Sequence, residues 1–233
     1  MECFISKYTD KGGRKRNEDC IGILENVFVL ADGLGGHENG EIASRLATDY
    51  VLKAAESITT VDNSTMHRII DGANNAVYLG RKGNMATTVV AAFVKDNLFN
   101  YLNVGDSRMY FFRNNRLCVQ SKDHSVTQMC VDMGEITPDK MRFHEDRNRL
   151  LKALGLGPAI KIPQEFNPFE IMPGDAFLLC SDGFWEYVYE KEMEKYLRKS
   201  RTPQEWMQNM LNKISKRIKP GNDNMSAICV YVR

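Results

Sequence analysis

Five aspartates carry the chemistry open to this sequence. Asp19 and Asp223 stand just before apolar runs at 20–24 and 225–232, whereas Asp32, Asp106 and Asp182 stand just after runs ending at 31, 104 and 180. In antiparallel pairing, the residue before one strand and the residue after its neighbour meet at the same end of the sheet, so all five can gather there. Carboxylates at close quarters repel, and protons or bound cations relieve the repulsion. Oxygen donors without a Cys or His cluster point to hard divalent ions, Mg2+ or Mn2+. Two such ions about 3.5–4 Å apart lower the pKa of a bridging water for attack on a phosphoryl centre, so phosphoester hydrolysis is the expected chemistry.

Each residue also has a plainer reading. Asp-Gly at 32–33 and 182–183 is a common turn dipeptide, and only the joint placement of the aspartates against apolar runs favours a metal site. Arg14, Lys15 and Arg16 either grip a phosphate by paired hydrogen bonds or form a solvated basic loop. The run Gly33-Leu34-Gly35-Gly36-His37 lacks both the P-loop and the dinucleotide-binding pattern, so nucleotide binding is unsupported. Gly33 instead lets a backbone carbonyl approach a cation. His37 either protonates a leaving alkoxide or is an idle loop histidine. His124, after Asp123 and near a helix start, suits an orienting or capping role. With His37, His67, His124 and His144 dispersed, no zinc pattern exists.

The elements that position these residues follow from periodicity. Runs at 20–24 and 27–31 joined by Glu25-Asn26 read as a hairpin in which Leu24 faces Val27 and, counting outward, Asp19 faces Asp32. Helical stripes cover 41–57 and 65–79. Strands at 87–94, 98–104, 108–113 and 116–120, with turns at Asp96-Asn97 and Asn114-Asn115, read as an antiparallel meander that leaves Asp106 near Thr87. Helical pieces at 125–133 and after Thr137-Pro138 precede a strand at 176–180 and a helix at 190–199. Thr202-Pro203-Gln204-Glu205 is a capping box opening a helix whose Trp206, Met207, Met210, Leu211, Ile214 and Ile218 face inward, with Lys213, Lys216, Arg217 and Lys219 on its wet face and Pro220-Gly221 as its stop. A strand at 225–232 closes the chain. Strands clustered apart from helix pairs argue against alternating βαβ units and for an α+β fold, an antiparallel sandwich flanked by helices.

Composition bounds the partners. The 233 residues, 43% hydrophobic and 26% charged, show no repeat or linker and are expected to form one domain over 1–233. A formal charge of +1 offers no overall field for nucleic acid or an anionic membrane, and no apolar run reaches the length of a signal or membrane span. Six scattered cysteines without paired spacing read as buried thiols in a reducing compartment. A cytoplasmic protein is expected.

Taken together, RKRNED at 14–19, VLADGLGGH at 29–37, GEIAS at 40–44, the ATT at 86–88, VGDSRMY at 104–110, KDHS at 122–125, LLCSDGFWE at 178–186 and DNMSAI at 223–228 resemble the metal-dependent serine/threonine protein phosphatases, the type 2C or PPM family, in order and spacing over nearly the whole chain. The DGLGGH form and compact length look like its bacterial members. The resemblance implies a four-layer α/β/β/α sandwich with two Mn2+ or Mg2+ ions in the cleft between the sheets, and phosphoserine or phosphothreonine proteins as substrates. It implies that Asp32 bridges both ions, with the Gly33 carbonyl on one and Asp19, Asp182 and Asp223 as further ligands, and that Asp106 joins Asp182 in a weaker third site. Glu18, Glu186 and Asn224 are placed behind these ligands. Where this chain carries Glu186, family members often carry Asp. Arg14 resembles the phosphate clamp and His37 the general acid. The segment at about 134–150, containing Met141, Arg142, Phe143 and His144, resembles the variable flap beside the site. A cognate serine/threonine kinase is the implied partner.

Two other readings remain. One is a non-catalytic regulatory module of the same fold that senses metal or phosphoprotein, which loss of Asp32 or Asp223 would have suggested. The other is a phosphatase of small phosphoesters, since two-metal hydrolysis does not dictate the leaving group.

Overall fold

Strands whose two faces are both covered read as unbroken apolar runs, and here each face meets a different core. The computed structural model describes residues 1–34, 39–81 and 83–233. The chain begins with β1 (Cys3–Asp10), β2 (Asp19–Leu24) and β3 (Val27–Leu34), followed by α1 (Gly40–Ala55) and α2 (Asn63–Gly80). Next come β4 (Ala86–Thr87), β5 (Val89–Lys95), β6 (Leu98–Val104), β7 (Arg108–Arg113) and β8 (Arg116–Gln120). After α3 (Val126–Asp132) and a 3₁₀ helix at Pro138–Phe143 lie β9 (Phe169–Glu170), β10 (Ala176–Cys180) and α4 (Asp182–Trp185). The chain finishes with α5 (Glu190–Lys199), α6 (Pro203–Ile214) and β11 (Met225–Val232).

One sheet has the order β2-β3-β5-β6-β9, with β4 also paired to β3, and the other β1-β11-β10-β7-β8. Neighbouring strands in both are antiparallel. Odd positions of β3 and β5, including Val29, Ala31, Val89, Ala91 and Phe93, pack with Ala43, Ala47, Met66 and Ile70 of α1 and α2. Their even neighbours Phe28, Leu30, Val90 and Ala92 turn inward against Met109, Phe111, Phe177, Leu179, Ile228 and Val230 of the other sheet. That sheet's outer face, with Tyr110, Phe112, Leu178 and Cys229, packs on Met193, Leu197, Trp206 and Met210 of α5 and α6. Three cores thus separate four layers, and the expected α/β/β/α sandwich is what forms. Each fully buried Phe or Leu is worth about 1.5–3 kcal/mol over exposure, so the inter-sheet core holds the layers in register.

Local expectations hold where the chemistry is local. Asp96, Asn97, Asn114 and Asn115 all take positive φ, the signature of tight primed turns. Thr202 Oγ1 accepts from the Glu205 N–H at 3.2 Å; the Glu205 carboxylate reaches past Thr202 to the Arg201 N–H at 2.7 Å. The differences are tertiary. The strands at 87–120 form no single meander: β5 and β6 belong to one sheet, β7 and β8 to the other. Gly105, at φ 98°, turns the chain between them. The run at 87–94 divides because the Thr88 N–H turns to the Asp32 carbonyl, 2.8 Å away. The last helix ends at Ile214, and Ile218 is exposed. Arg217 does not sit on a wet face: it forms a two-pronged pair with Glu192 at 2.6 and 2.8 Å and donates to the Tyr187 carbonyl. Lys213 joins the same carboxylate at 3.2 Å. Of the thiols, which are all free, only Cys180 and Cys229 are buried, and Cys118 is exposed. The sequence pattern also missed β1, an edge strand that pairs along its length with β11, from Cys3 opposite Val232 to Asp10 opposite Met225.

Candidate metal centre

Three ladders converge on the acidic residues. In β2–β3 the register runs from Leu24 opposite Val27 to Asp19 opposite Asp32, as the hairpin count required. In β10–β7 it ends with Cys180 opposite Arg108, and two further residues along each chain stand Asp182 and Asp106. Asp223 lies two residues before β11, whose Met225 faces Asp10 of β1. Asp32 lies within β3 rather than beyond it, because the ladder continues with Gly33 opposite Thr87 of β4. Asp19, Asp32, Asp182 and Asp223 are half-buried, and Asp106 is buried.

The electrostatics show that these carboxyls sense one another. Desolvation pushes the Asp32 carboxyl well above the ordinary carboxylate range, and Asp19, Asp182, Asp106 and Asp223 push it further. Asp182 is raised in the same way, by desolvation and then by Asp106, Asp223 and Glu186. Asp19 is lifted to about 6 by desolvation against the pull of the Ser226 and Ser181 hydroxyls. Asp106 is lifted to about 7 by desolvation and Asp123, with Arg108 opposing. Desolvation also raises Glu186, against Arg147, whose Nε lies 3.0 Å from Glu186 Oε1.

Among the described residues, no three His, Cys, Asp or Glu side chains close into a metal cage. Protein donors hold several of the oxygens instead. Ser181 Oγ donates to Asp19 Oδ2 at 3.0 Å. The Gly183 N–H donates to Asp182 Oδ1 at 2.6 Å, and Arg14 Nη2 to Asp223 Oδ2 at 2.7 Å. Asp19 Oδ1, by contrast, is buried with no hydrogen-bond partner. A buried acceptor without a donor suits a cation. Half-buried carboxylates that raise one another's pKa form a hard oxygen set, and the residues present suit Mg2+ or Mn2+.

The surrounding backbone is held closely. Asn224 accepts from the Glu18 N–H at 2.8 Å and donates to the carbonyls of Lys11 and Arg16, both at 2.9 Å, so it fastens the 11–18 loop to the start of β11. The Gly33 N–H donates to the Glu18 carbonyl at 3.2 Å, and Ser44 Oγ to the same oxygen at 2.6 Å. Gly33 has no room for a side chain: a Cβ there would lie 2.1 Å from the Gly40 carbonyl oxygen and 2.8 Å from that of Glu18. A Cβ on Gly40 would meet the Glu18 carboxyl at 2.7 Å. Thr87 Oγ1 donates to the Asp32 carbonyl at 2.8 Å, and Thr88 Oγ1 accepts from the Asp32 N–H at 3.0 Å. The threonines and Ser181 escaped the sequence reading as site residues, although each sits inside a motif it quoted.

The remaining expectations divide. His37 lies outside the described residues. His124 is no cap, since Ser125 accepts from the Gln128 N–H to start α3. His124 Nδ1 is buried without a partner, and desolvation, then Lys152, lowers its pKa to about 4. Arg108, which lies inside VGDSRMY but to which the sequence assigns no role, makes a buried two-pronged pair with Asp123 at 2.8 and 2.7 Å.

Comparison with known proteins agrees with this fold. A family model described as Protein phosphatase 2C matches residues 16–219. A serine/threonine phosphatase of Listeria monocytogenes is 33% identical over 238 residues, covering 95% of this chain and 93% of that protein. The crystal structure of the serine/threonine phosphatase PstP/Ppp of Mycobacterium tuberculosis superposes with a TM-score of 0.86 at 26% identity, covering 99% of both chains. The catalytic domain of the serine/threonine protein phosphatase PstP, solved in complex with two manganese ions, gives a TM-score of 0.83 at 26% identity over 99% of this chain and 98% of that one. With the family model matching residues 16–219 and a relative 33% identical over 95% of this chain, the chain belongs to the protein phosphatase 2C family, as a serine/threonine phosphatase of the bacterial type.

Proposed function

We propose that this protein hydrolyses phosphoserine and phosphothreonine on proteins at a centre of two Mn2+ or Mg2+ ions. Asp19, Asp32, the Gly33 carbonyl, Asp182 and Asp223 would hold the two ions, and Asp106 with Asp182 a weaker third. The observation that carries this reading is the Asp19–Asp32 pairing at one end of the β2–β3 ladder, with Asp19 Oδ1 buried and unpartnered. A relative solved with two manganese ions supports the same reading. Bound there, the ions would neutralise phosphoryl charge as Lewis acids and supply a water of lowered pKa.

The chain's own residues do the rest. Arg14 presents a guanidinium that is 54% exposed in its side chain, so a substrate phosphate can reach it and take over the hydrogen bond now given to Asp223. Asn224 and the Glu18 backbone fix the loop that carries Arg14. Glu186, held by Arg147, flanks Asp182. His37 gives its proton to the departing serine or threonine Oγ. The whole of 1–233 would serve as one catalytic domain, and the segment 134–150, where Phe143 is exposed and Arg147 pairs with Glu186, would select among phosphoproteins left by a cognate serine/threonine kinase. Free thiols throughout accord with a cytoplasmic setting. The complete acidic set speaks against the non-catalytic module.

Phosphate release from a phosphothreonine peptide, titrated with Mn2+ and Mg2+ beside Asp32→Asn, tests the reading. Metal-dependent release abolished by the substitution is expected. Release that survives both chelation and the substitution overturns it.

A further inference from the structure

Trp185 occupies a position that the reaction as described leaves without a role. It ends α4, one helical turn after Asp182, where the Glu186 N–H donates to the Asp182 carbonyl at 3.0 Å. Its side chain is buried, and its indole N–H donates to the backbone carbonyl of Asp106 at 2.9 Å. The helix that carries Asp182 is therefore bonded to the residue that carries the other carboxylate of the pair. Those two carboxylates repel, since Asp106 is among the groups that raise Asp182. A tether that bridges them opposes their separation.

Two guanidiniums hold the indole. That of Arg108 lies 3.4 Å from the ring centroid and is itself fixed by Asp123 on two prongs and by the Tyr110 hydroxyl at 3.2 Å. That of Arg142 lies 5.3 Å from the ring centroid, donates to the Trp185 carbonyl and to Glu190, and is 5% exposed in its side chain. Arg142 belongs to the 3₁₀ helix Pro138–Phe143, so the middle of the segment 134–150 is fastened to the residue that spans Asp106 and Asp182.

We propose that Trp185 is a positioning residue that sets the separation of Asp106 and Asp182, and that Arg142 makes this separation depend on how the segment 138–143 is seated. The inference rests on the reading that Asp106 and Asp182 hold the weaker ion. It follows that residues of this segment alter metal affinity without touching metal.

Calorimetric titration of the metal-free protein with Mn2+ tests it, with the thermal midpoint as a control for folding. Trp185→Phe keeps a ring for the guanidiniums and removes the N–H. It should weaken the weaker class of Mn2+ by about tenfold and leave the tighter class unchanged. Arg142→Met should shift the same class in the same direction, and Arg142→Lys should restore part of it. A second readout stands if Trp185→Phe fails to fold. The sequence has two tryptophans, so in Trp206→Phe the emission comes from Trp185 alone. Paramagnetic Mn2+ should quench it as the weaker class fills, and Arg142→Met should move that quenching to higher Mn2+. Wild-type and folded Trp185→Phe isotherms that superpose overturn the positioning role, as does emission unmoved through saturation. A wild-type isotherm without a weaker class overturns instead the reading beneath it.

Discussion

Arg14 donates to Asp223 across 2.7 Å, joining the loop before β2 to the loop before β11 at the rim of the acidic cluster. The guanidinium competes with a cation for that carboxylate, and a phosphate competes with Asp223 for the guanidinium. Both partners are solvent-accessible, which limits the worth of the pair to stability.

Arg14→Ala should therefore leave the melting temperature within a few degrees of wild type, raise KM for a phosphopeptide by about tenfold or more, and bind Mn2+ at least as tightly. Steady-state kinetics beside a metal titration check this. A lowered kcat with unchanged KM would contradict the clamp.

The raised carboxyls make stability depend on pH. In metal-free protein Asp106 titrates at about 7 and Asp32 and Asp182 well above the ordinary range, whereas in the unfolded chain these groups titrate near 4. The native state thus keeps protons that the unfolded state has released, and stability falls as pH rises through the native values. His124, lowered to about 4 mainly by desolvation, acts in the opposite sense, but its contribution is nearly complete by pH about 6.5. Between pH 6.5 and 8 the aspartates should dominate. The metal-free midpoint is expected to drop by several degrees over that range, less in Asp32→Asn, and saturating Mn2+ should remove the slope because a cation favours the ionised carboxylates. A metal-free midpoint that climbs from pH 6.5 to 8 would contradict the assignment.

Gly33 and Gly40 test the packing around the centre. Gly33→Ala places a methyl 2.1 Å from a backbone carbonyl oxygen that has nowhere to go, so a loss of about 2 kcal/mol or more is expected. Gly40→Ala meets the Glu18 carboxyl, which can turn away, and the Gly33 backbone only at 3.0 Å, so it should cost less. Urea denaturation of both variants measures the difference, and equal losses would count against the contact geometry.

Phe177 lies at the middle of the inter-sheet core, with its ring centroid 5.2 Å from that of Phe28 and 5.1 Å from that of Phe99. Phe177→Ala should destabilise the fold by about 3–5 kcal/mol, read by denaturant unfolding. A loss below about 1 kcal/mol would mean that the sheets are not held together there.

The pairing of Asp19 with Asp32 was legible in the sequence because a two-residue hairpin turn sets the register of everything outward from it. The turns at 96–97 and 114–115 were legible for the same local reason. Which sheet each strand joined was not. Residues 98–104 and 108–113 are both apolar runs with turn chemistry between them, and only the fold shows that Gly105 carries the chain from one sheet to the other. β1 escaped notice because its partner is at the opposite end of the chain and, among the described residues, one of its edges has no strand neighbour. Arg217 read as a wet-face charge because Glu192, its partner, lies 25 residues away on another helix.

By itself the sequence determined which acidic residues stand near strand ends at the candidate centre and the layered class of the fold, since turn chemistry and apolar period act over a few residues. Tertiary structure alone decided which donors hold those carboxyls. Ser181 on Asp19, Arg14 on Asp223 and Arg147 on Glu186 are such choices, and Trp185 on the backbone carbonyl of Asp106 is another beside them. Hydrogen bonds and ion pairs form over about 3 Å in space, so these partners meet only where the folded chain brings them together, whatever their separation along it.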